Sequence, residues 1–320
     1  MRIHVTDRHT FKYCRRLFHW AVVKQLEPKD HGKDYFYFGA GGHRILQDAY
    51  AKKLTGQAYL DRVQQEMPVV TPQFQKTENV QLFYDVLVHY KSRLEQDLDE
   101  YEVLTSEEEH TCPIETRHGS TGILVATIDV ELRNRRTKKI RGMDHKFLSQ
   151  FPNPDILQLD DQMTAYYWIL VQKHGYDNVE GFFYNVIRKA VPSIPWTVYN
   201  GARLSKDKTQ DTTWALYMQS IESMGLDPTD YTEMLNYLRE NEPEFHQRHP
   251  IYRGRRELNI WYEDLRAEFD DMMNPELVYY PNPGPDCAYC DFARPCKSLR
   301  EGGSPDVTLS RHYQKKTSHI

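Results

Sequence analysis

No apolar run in this 320-residue sequence is long enough to cross a bilayer. The longest, such as YYWILV and WTVYNGARL, fall far short of the ~20 residues a membrane helix needs, and the opening MRIHVTDRHTFKYCRR lacks the apolar core of a secretion signal. A cytosolic protein with no membrane partner is expected. Cysteine is scarce, with five residues (Cys14, Cys112, Cys287, Cys290 and Cys296), and without a secretion signal these are not expected to pair as disulfides. Internal repeats and low-complexity tracts are missing, and so is the Walker A pattern, which excludes a fused helicase or ATPase module. Positive charge is not in excess either: the net charge is -5, so a nucleic-acid partner cannot be read from the overall balance.

What is there is a globular composition, 39% hydrophobic, able to bury a full core. At roughly 150 residues per domain the length suits one large or two ordinary domains, and a single domain over 1–320 is the reading adopted. FKYCRRLFHWAVVK, from Thr10 to about Lys24, has helical spacing and carries Cys14. FGAGGHRILQDAYAKKL reads as a glycine turn feeding a helix with His43 at its start, and a longer helix is expected over 78–97. Strand-like runs follow at 101–104, 109–115, 121–132 and 139–148, separated by turn material such as RHGSTG and RNRRTKK. LQLDDQMTAYYWILVQKHG returns to helical periodicity and stops at Gly175, and VEGFFYNVIRKAV supplies another strand. Helix, antiparallel strands, helix and strand in that order predict an α/β fold with a mixed central sheet. Residues 192–256 read as a helical insertion, 257–273 as a further helix, and 280–300 as a cysteine-rich segment.

Positive charge is uneven. Arg133, Arg135, Arg136, Lys138, Lys139 and Arg141 share one window, Arg253, Arg255 and Arg256 another, and Lys315 and Lys316 lie near the end. Each taken alone is commonly a solvated face; the Arg253 to Arg256 cluster is the candidate for phosphate contacts.

TGILVATIDVELRNRRTKKIRGMDHKF can fold as a hairpin whose strands carry Asp129 and Asp144. Residues two apart on a strand face one side, so Asp144 and Lys146 project together while His145 points away. With Asp129 on the neighbouring strand, two carboxylates make an oxygen-rich pocket for Mg²⁺ or Mn²⁺, and the ammonium can steer a water. On those residues alone, D-x-K is as often a surface ion pair. Gln162 and Tyr166, four apart, share a face of the following helix, where they can meet Lys146 and a phosphate.

These residues resemble the PD-(D/E)XK nucleases, and within them the RecB-like exonucleases. The resemblance rests on ordered motifs: G-x-x-x-H at Gly39 to His43, the Asp at Asp129, D-x-K at Asp144 and Lys146, Q-x-x-x-Y at Gln162 and Tyr166, then a cysteine triplet. Ala126 stands where the family usually has Gly. The resemblance implies a restriction-endonuclease-like core. It further implies that His43, Asp129, Asp144 and the backbone carbonyl of His145 hold the metal, that Lys146 orients or activates the water, and that Gln162 and Tyr166 position Lys146 or the strand.

CAYCDFARPC gives Cys287, Cys290 and Cys296 the spacing C-x₂-C-x₅-C, and a tetrahedral set needs a fourth thiolate. Four thiolates suit a [4Fe–4S] cluster or structural Zn²⁺, which spacing cannot separate. Cys14 is similar to the distant first cysteine of the iron–sulfur exonucleases, including the AddB nuclease domain and the CRISPR-adaptation exonucleases, and this resemblance favours iron–sulfur. Cys112 is expected to be an ordinary buried thiol. The tract from GFFYNVIRKAV to RHPIYRGRREL is similar to versions carried by bacteriophages. The implied activity is a metal-dependent exonuclease on DNA ends, acting in recombination, repair or DNA processing, alone or with a separate helicase or recombination protein. The alternatives are an endonuclease or nickase of the same fold, and a DNA-binding recombination subunit that does not cut.

Overall fold

The computed structural model describes residues 1–29 and 34–316. In chain order its elements are β1 (Arg2–His4), α1 (Val5–Tyr13), α2 (Arg15–Phe18), β2 (Leu26–Pro28), α3 (Asp34–Ala51), α4 (Gly56–Val70), α5 (Thr77–Glu100), β3 (Tyr101–Glu115), β4 (Thr121–Asn134) and β5 (Ile140–Leu148). Then come α6 (Pro154–Leu157), α7 (Asp161–His174), β6 (Val179–Arg188), β7 (Thr197–Val198), β8 (Arg203–Leu204), α8 (Trp214–Ser223), α9 (Thr232–Glu240), β9 (His246–Ile251), α10 (Arg255–Met273), α11 (Ala293–Arg300), α12 (Asp306–His312) and β10 (Tyr313–Lys315).

Strand β4 is the axis of a six-stranded mixed sheet. Antiparallel β3 runs along the whole of one edge, from Tyr101 opposite Asn134 to Glu115 opposite Thr121. Two strands share the other edge: β1 lies parallel to Ile123–Val125, and β5 lies antiparallel to Val130–Arg133. Beyond Met143, β5 leaves β4 and continues beside parallel β6 alone, and β6 pairs on its far side with antiparallel β9. The parallel pair β5 and β6 needs a crossover, which α7 supplies. Asp160 caps the start of α7 by accepting the Met163 N–H, and Gly175, at φ 82°, ends it where the sequence placed the stop.

Apolar residues pack on both faces of the sheet. On one, Leu124, Ile128 and Phe182 meet Trp261 and Phe269 of α10 and the apolar side of α7. On the other, Val130, Leu132 and Met143 meet Ile45, Leu46, Phe83 and Leu94 of α3 and α5. Leu204, Tyr217, Ile221, Tyr231 and Leu238 form a separate small core within the segment after β6.

The structure departs from the sequence reading in three places. The helix expected from Thr10 to Lys24 breaks at Cys14, whose extended backbone (φ -158°, ψ 111°) separates α1 from α2, and a π-helical turn follows over His19–Val23. The glycines before His43 are not a turn but the interior of α3. A Cβ on Gly41 would lie 2.8 Å from Val70, and one on Gly42 2.3 Å from the Phe147 ring, so these glycines let α3 press against α4 and β5. The 192–256 segment is only partly helical: with α8 and α9 it contains the β7–β8 hairpin, and β9 belongs to the central sheet because its backbone completes the edge of β6.

Candidate active site

The site lies where the sheet forks. The last β4–β5 pair is Val130 with Met143, which leaves Asp129 and Asp144 as the first residues of the two diverging arms. The side chain of Asp129 bridges the gap: its Oδ2 accepts the His145 N–H at 2.6 Å. A backbone donor turned toward a departed strand needs another acceptor, and this carboxylate supplies it. Side-chain facing also turns over here, for Ile128 packs into one core cluster and Val130 into the other.

Asp144 and Lys146 project together, as alternation requires, with Lys146 Nζ 2.7 Å from Asp144 Oδ2. Lys146 Nζ also stands 3.4 Å from Gln162 Oε1, and Gln162 Nε2 donates to the Tyr166 hydroxyl at 2.8 Å, so one face of α7 holds the lysine from behind. The His145 ring points the other way into the core, stacks on Tyr50 at 5.4 Å between centroids, and sets its Nδ1 2.9 Å from Asn185 Nδ2. From the opposite side α3 brings in His43, whose Nδ1 is 3.3 Å from Asp129 Oδ2 and 3.4 Å from Glu107 Oε1.

Glu107 is the residue the sequence reading missed. It is the first of three consecutive glutamates, and the neighbours have other partners: Glu108 pairs with Lys173 and Glu109 with Arg2. Only its backbone sets it apart, with φ at 54° in the middle of β3, opposite the fork. A left-handed residue inside a strand costs of order 1–3 kcal/mol, and here it turns a carboxylate toward His43.

The electrostatics are those of crowded acids. Burial, then the neighbouring Asp144 charge, pushes the Asp129 carboxyl well above its ordinary range. Burial alone would lower the His43 imidazole, but the Glu107 hydrogen bond and the charges of Asp129 and Asp144 outweigh it and raise it to about 9. Burial likewise opposes the Lys146 ammonium, and Asp144 more than restores it, so this lysine stays charged. Burial and the Asp144 charge keep Tyr166 a neutral phenol.

Whether these residues suit a divalent cation is decided by their donors. Ligand atoms of His43, Glu107 and Asp129 all lie within 4.8 Å of one another; Asp144, drawn to Lys146, stands outside that trio. Asp144 Oδ2 is buried, with the Lys146 ammonium 2.7 Å away as its partner. Several carboxylate oxygens and a single imidazole fit Mg²⁺ or Mn²⁺. A second group, Glu108, His110 and Glu131, is equally compact. Lys173 already sits in it, 2.8 Å from Glu108 and 3.0 Å from Glu131, with His174 2.7 Å from Glu131, so this group ties the end of α7 to the sheet.

Behind the fork is a buried polar network. Arg248 of β9 holds Asp97 of α5 through two bonds of 2.6 and 2.7 Å and donates to Asn185 Oδ1; Asp97 also accepts from Tyr50, and Asn185 reaches Tyr90 and His145.

The arginine cluster expected to meet DNA does not stand free as a group. Arg253 is buried, donates to Thr164 Oγ1 and to the carbonyls of Leu157, Asp160 and Tyr252, and pairs with Glu257. It clamps the start of α7, with its guanidinium taken up by these partners. Arg255 is exposed but pairs with Asp177 at 2.7 Å and lies over the Tyr176 ring, while Arg256 is exposed.

Cys14, Cys287, Cys290 and Cys296 line one cavity of about 600 Å³, walled by Leu17, Trp20 and Phe292. Backbone N–H groups of Asn282 and Gly284 point at the sulfurs of Cys14 and Cys287, each at 3.5 Å. Among the described residues no cysteine belongs to a group of three ligand atoms within 4.8 Å of one another. Cys112 packs partly buried against the α7 face of the sheet, where burial raises its thiol.

A mixed sheet forked at two aspartates, with a charged lysine beside the second, defines the class of protein: an α/β fold with a buried acidic site whose donors fit a divalent cation. The chain belongs to the PD-(D/E)XK nuclease superfamily, whose sequence profile matches residues 2–297. Members of that superfamily are nucleases, hydrolases of phosphodiester bonds that typically use Mg²⁺ or Mn²⁺. No curated protein matches the chain. Among solved structures it is similar to SSO0001 at 12% identity and a TM-score of 0.34, over 92% of this chain and 84% of that one. No helix among the described residues is long and apolar enough to cross a membrane.

Proposed function

We propose that this nuclease is an exonuclease of the RecB-like, iron–sulfur type, acting on DNA with a free end. The observation that carries the catalytic part is the meeting of His43, Glu107, Asp129, Asp144 and Lys146 at the fork, drawn from α3, β3, β4 and β5. His43, Glu107, Asp129, Asp144 and the His145 carbonyl are the groups that would hold Mg²⁺ or Mn²⁺, which supplies Lewis-acid polarisation of a phosphate oxygen and a more acidic water. Lys146 carries the ammonium that the neighbouring Asp144 favours. Its part is to hold the water or a phosphate oxygen by a charge-assisted hydrogen bond. Gln162 and Tyr166 fix its position, and Tyr166, a neutral phenol, can donate to phosphate.

The exonuclease part rests on the segment after β6. It leaves the sheet at the end where Asp144 and Lys146 lie, since the Lys189 N–H donates to the Leu148 carbonyl at 2.7 Å, and it folds over its own core. A body rooted there can restrict the site to an end. The cluster part rests on the shared cysteine cavity: one Zn²⁺ at ~2.3 Å from each sulfur would draw the sulfurs to about 4 Å apart, whereas an iron–sulfur cube spaces them more widely. The test of the exonuclease reading is purified protein with Mg²⁺ or Mn²⁺ on end-labelled linear and covalently closed circular DNA. Linear DNA should be degraded and circles spared; efficient cutting of circles would make the enzyme an endonuclease.

A further inference from the structure

The β7–β8 hairpin displays apolar side chains that the fold does not use. Ile194, Trp196, Val198 and Tyr199 are 75%, 52%, 38% and 77% exposed, four large side chains within six residues. Their frame is nonetheless firmly held. The Ser205 N–H donates to the Trp196 carbonyl at 2.7 Å. Gln210, almost fully buried, accepts the Trp196 N–H and donates to the Ser205 and Asp207 carbonyls. At the base, Arg188 holds Asp211 through two bonds of 2.6 and 3.0 Å. The rings are therefore presented on a fixed support.

The tip is strained. Tyr199, Asn200 and Gly201 stand at φ 53°, 56° and 88°. Asn and Gly adopt this conformation readily; a tyrosine in it is an outlier, and such residues persist where they have a use. The strain holds the most exposed ring of the hairpin at its end.

Charge suggests the partner. From Lys189 to Lys208 there are four cations, Lys189, Arg203, Lys206 and Lys208, against the single anion Asp207, in a chain whose net charge is -5; of these Lys208 pairs with Glu233 at 3.4 Å. Arg203 lies over Tyr199 at 5.9 Å and Lys206 over Tyr231 at 5.4 Å, and neither forms an ion pair among the described residues. Exposed rings interleaved with unpaired cations match a single-stranded nucleic acid, whose bases stack while its phosphates pair; in a duplex the base faces are hidden. We propose that the 194–208 hairpin binds single-stranded DNA, with Trp196 and Tyr199 as stacking platforms and Arg203 and Lys206 on the phosphates. The inference rests on the nuclease reading only for the identity of the polymer.

The experiment is fluorescence anisotropy with labelled oligo-dT of about 20 nucleotides and with the matching duplex, in EDTA so that nothing is cut. Wild type, Trp196→Ala, Tyr199→Phe and Tyr199→Gly are compared, each with a melting curve. Tyr199→Gly removes the ring and relieves the backbone, so it should melt no lower than wild type and yet bind oligo-dT roughly 5- to 100-fold more weakly, the range that losing one stacked base gives. Trp196→Ala should weaken binding similarly, and Tyr199→Phe should retain it. The inference is overturned if the variants bind oligo-dT like wild type, if wild type binds only duplex, or if Tyr199→Gly instead disperses a dimer, which would put a second copy of the chain on the hairpin. Cleavage by the same proteins in Mg²⁺ separates the two readings. Cutting by wild type with no effect of the variants on binding sinks the hairpin alone, whereas hairpin-dependent binding without cutting sinks the nuclease alone.

Discussion

Asp129 receives opposite demands: the His145 amide favours its charge, while burial and Asp144 oppose it. A divalent cation would resolve that conflict, so charge at these positions should matter more than size. Asp144→Asn keeps the shape and removes the charge; cleavage should be abolished while DNA binding stays near wild type. Lys146→Ala should lose activity by roughly 10²- to 10⁴-fold, the range of a positioned proton-handling or hydrogen-bonding group. Glu107→Gln should raise the Mn²⁺ concentration needed for half-maximal activity, and an unchanged requirement would remove Glu107 from the site. The His43 imidazole must lose its proton to ligate, and it is raised from 6.5 to about 9, so apparent Mn²⁺ affinity should rise with pH across that window. The sign for stability follows. Without metal, the raised His43 contributes stability below pH 6.5 that is lost as pH approaches about 9, and melting with and without Mn²⁺ at both ends checks this. Asp144 and Lys146 were legible in the sequence because strand alternation places them together. Glu107 was not, since three adjacent glutamates look alike until a left-handed backbone selects one.

Elements position the site through close packing. Because α3 touches Phe147 at Gly42, Gly42→Ala should push His43 away from Asp129, cost about 1–3 kcal/mol and reduce activity beyond what the lost stability explains, as denaturant melts and metal titration would show. Asp97→Ala leaves the buried Arg248 guanidinium unpaired and should cost about 3–5 kcal/mol. Most elements could be read from periodicity: the expected 78–97 helix is Thr77–Glu100, and the strands at 121–132 and 139–148 are β4 and β5. What failed had tertiary causes. Glycines read as a turn serve a helix contact, pairing with β4 through 105–108 makes 101–104 and 109–115 one continuous β3, and Arg253, which looked like surface charge, is a buried clamp. Arg253→Ala should therefore lower stability and leave the salt dependence of DNA binding unchanged, whereas Arg203→Ala should flatten it.

At the scale of the molecule, the two ends of the chain meet. β2 pairs with β10, and Trp20, Phe292 and Tyr313 pack beside the cysteine cavity. Replacing Cys14, Cys287, Cys290 or Cys296 by Ser should lower folded yield and abolish the brown visible absorbance expected of the proposed iron–sulfur cluster, while Cys112→Ser changes neither. About four irons with acid-labile sulfide per chain is the expected metal content, and one zinc without iron would contradict the cluster while leaving the nuclease standing. The α/β architecture could be read from the order of elements, but the fork could not, because it arises from β1 and β5 sharing one edge of β4 across more than 100 residues of sequence. The central claim is that this fork cuts DNA with a metal. Its most direct measurement is nucleotide release from end-labelled linear DNA by wild type and Asp144→Asn, with Mg²⁺ or Mn²⁺ and with EDTA. The account predicts release by wild type only when metal is present and none by Asp144→Asn; release that survives EDTA, or equal release by Asp144→Asn, would contradict it.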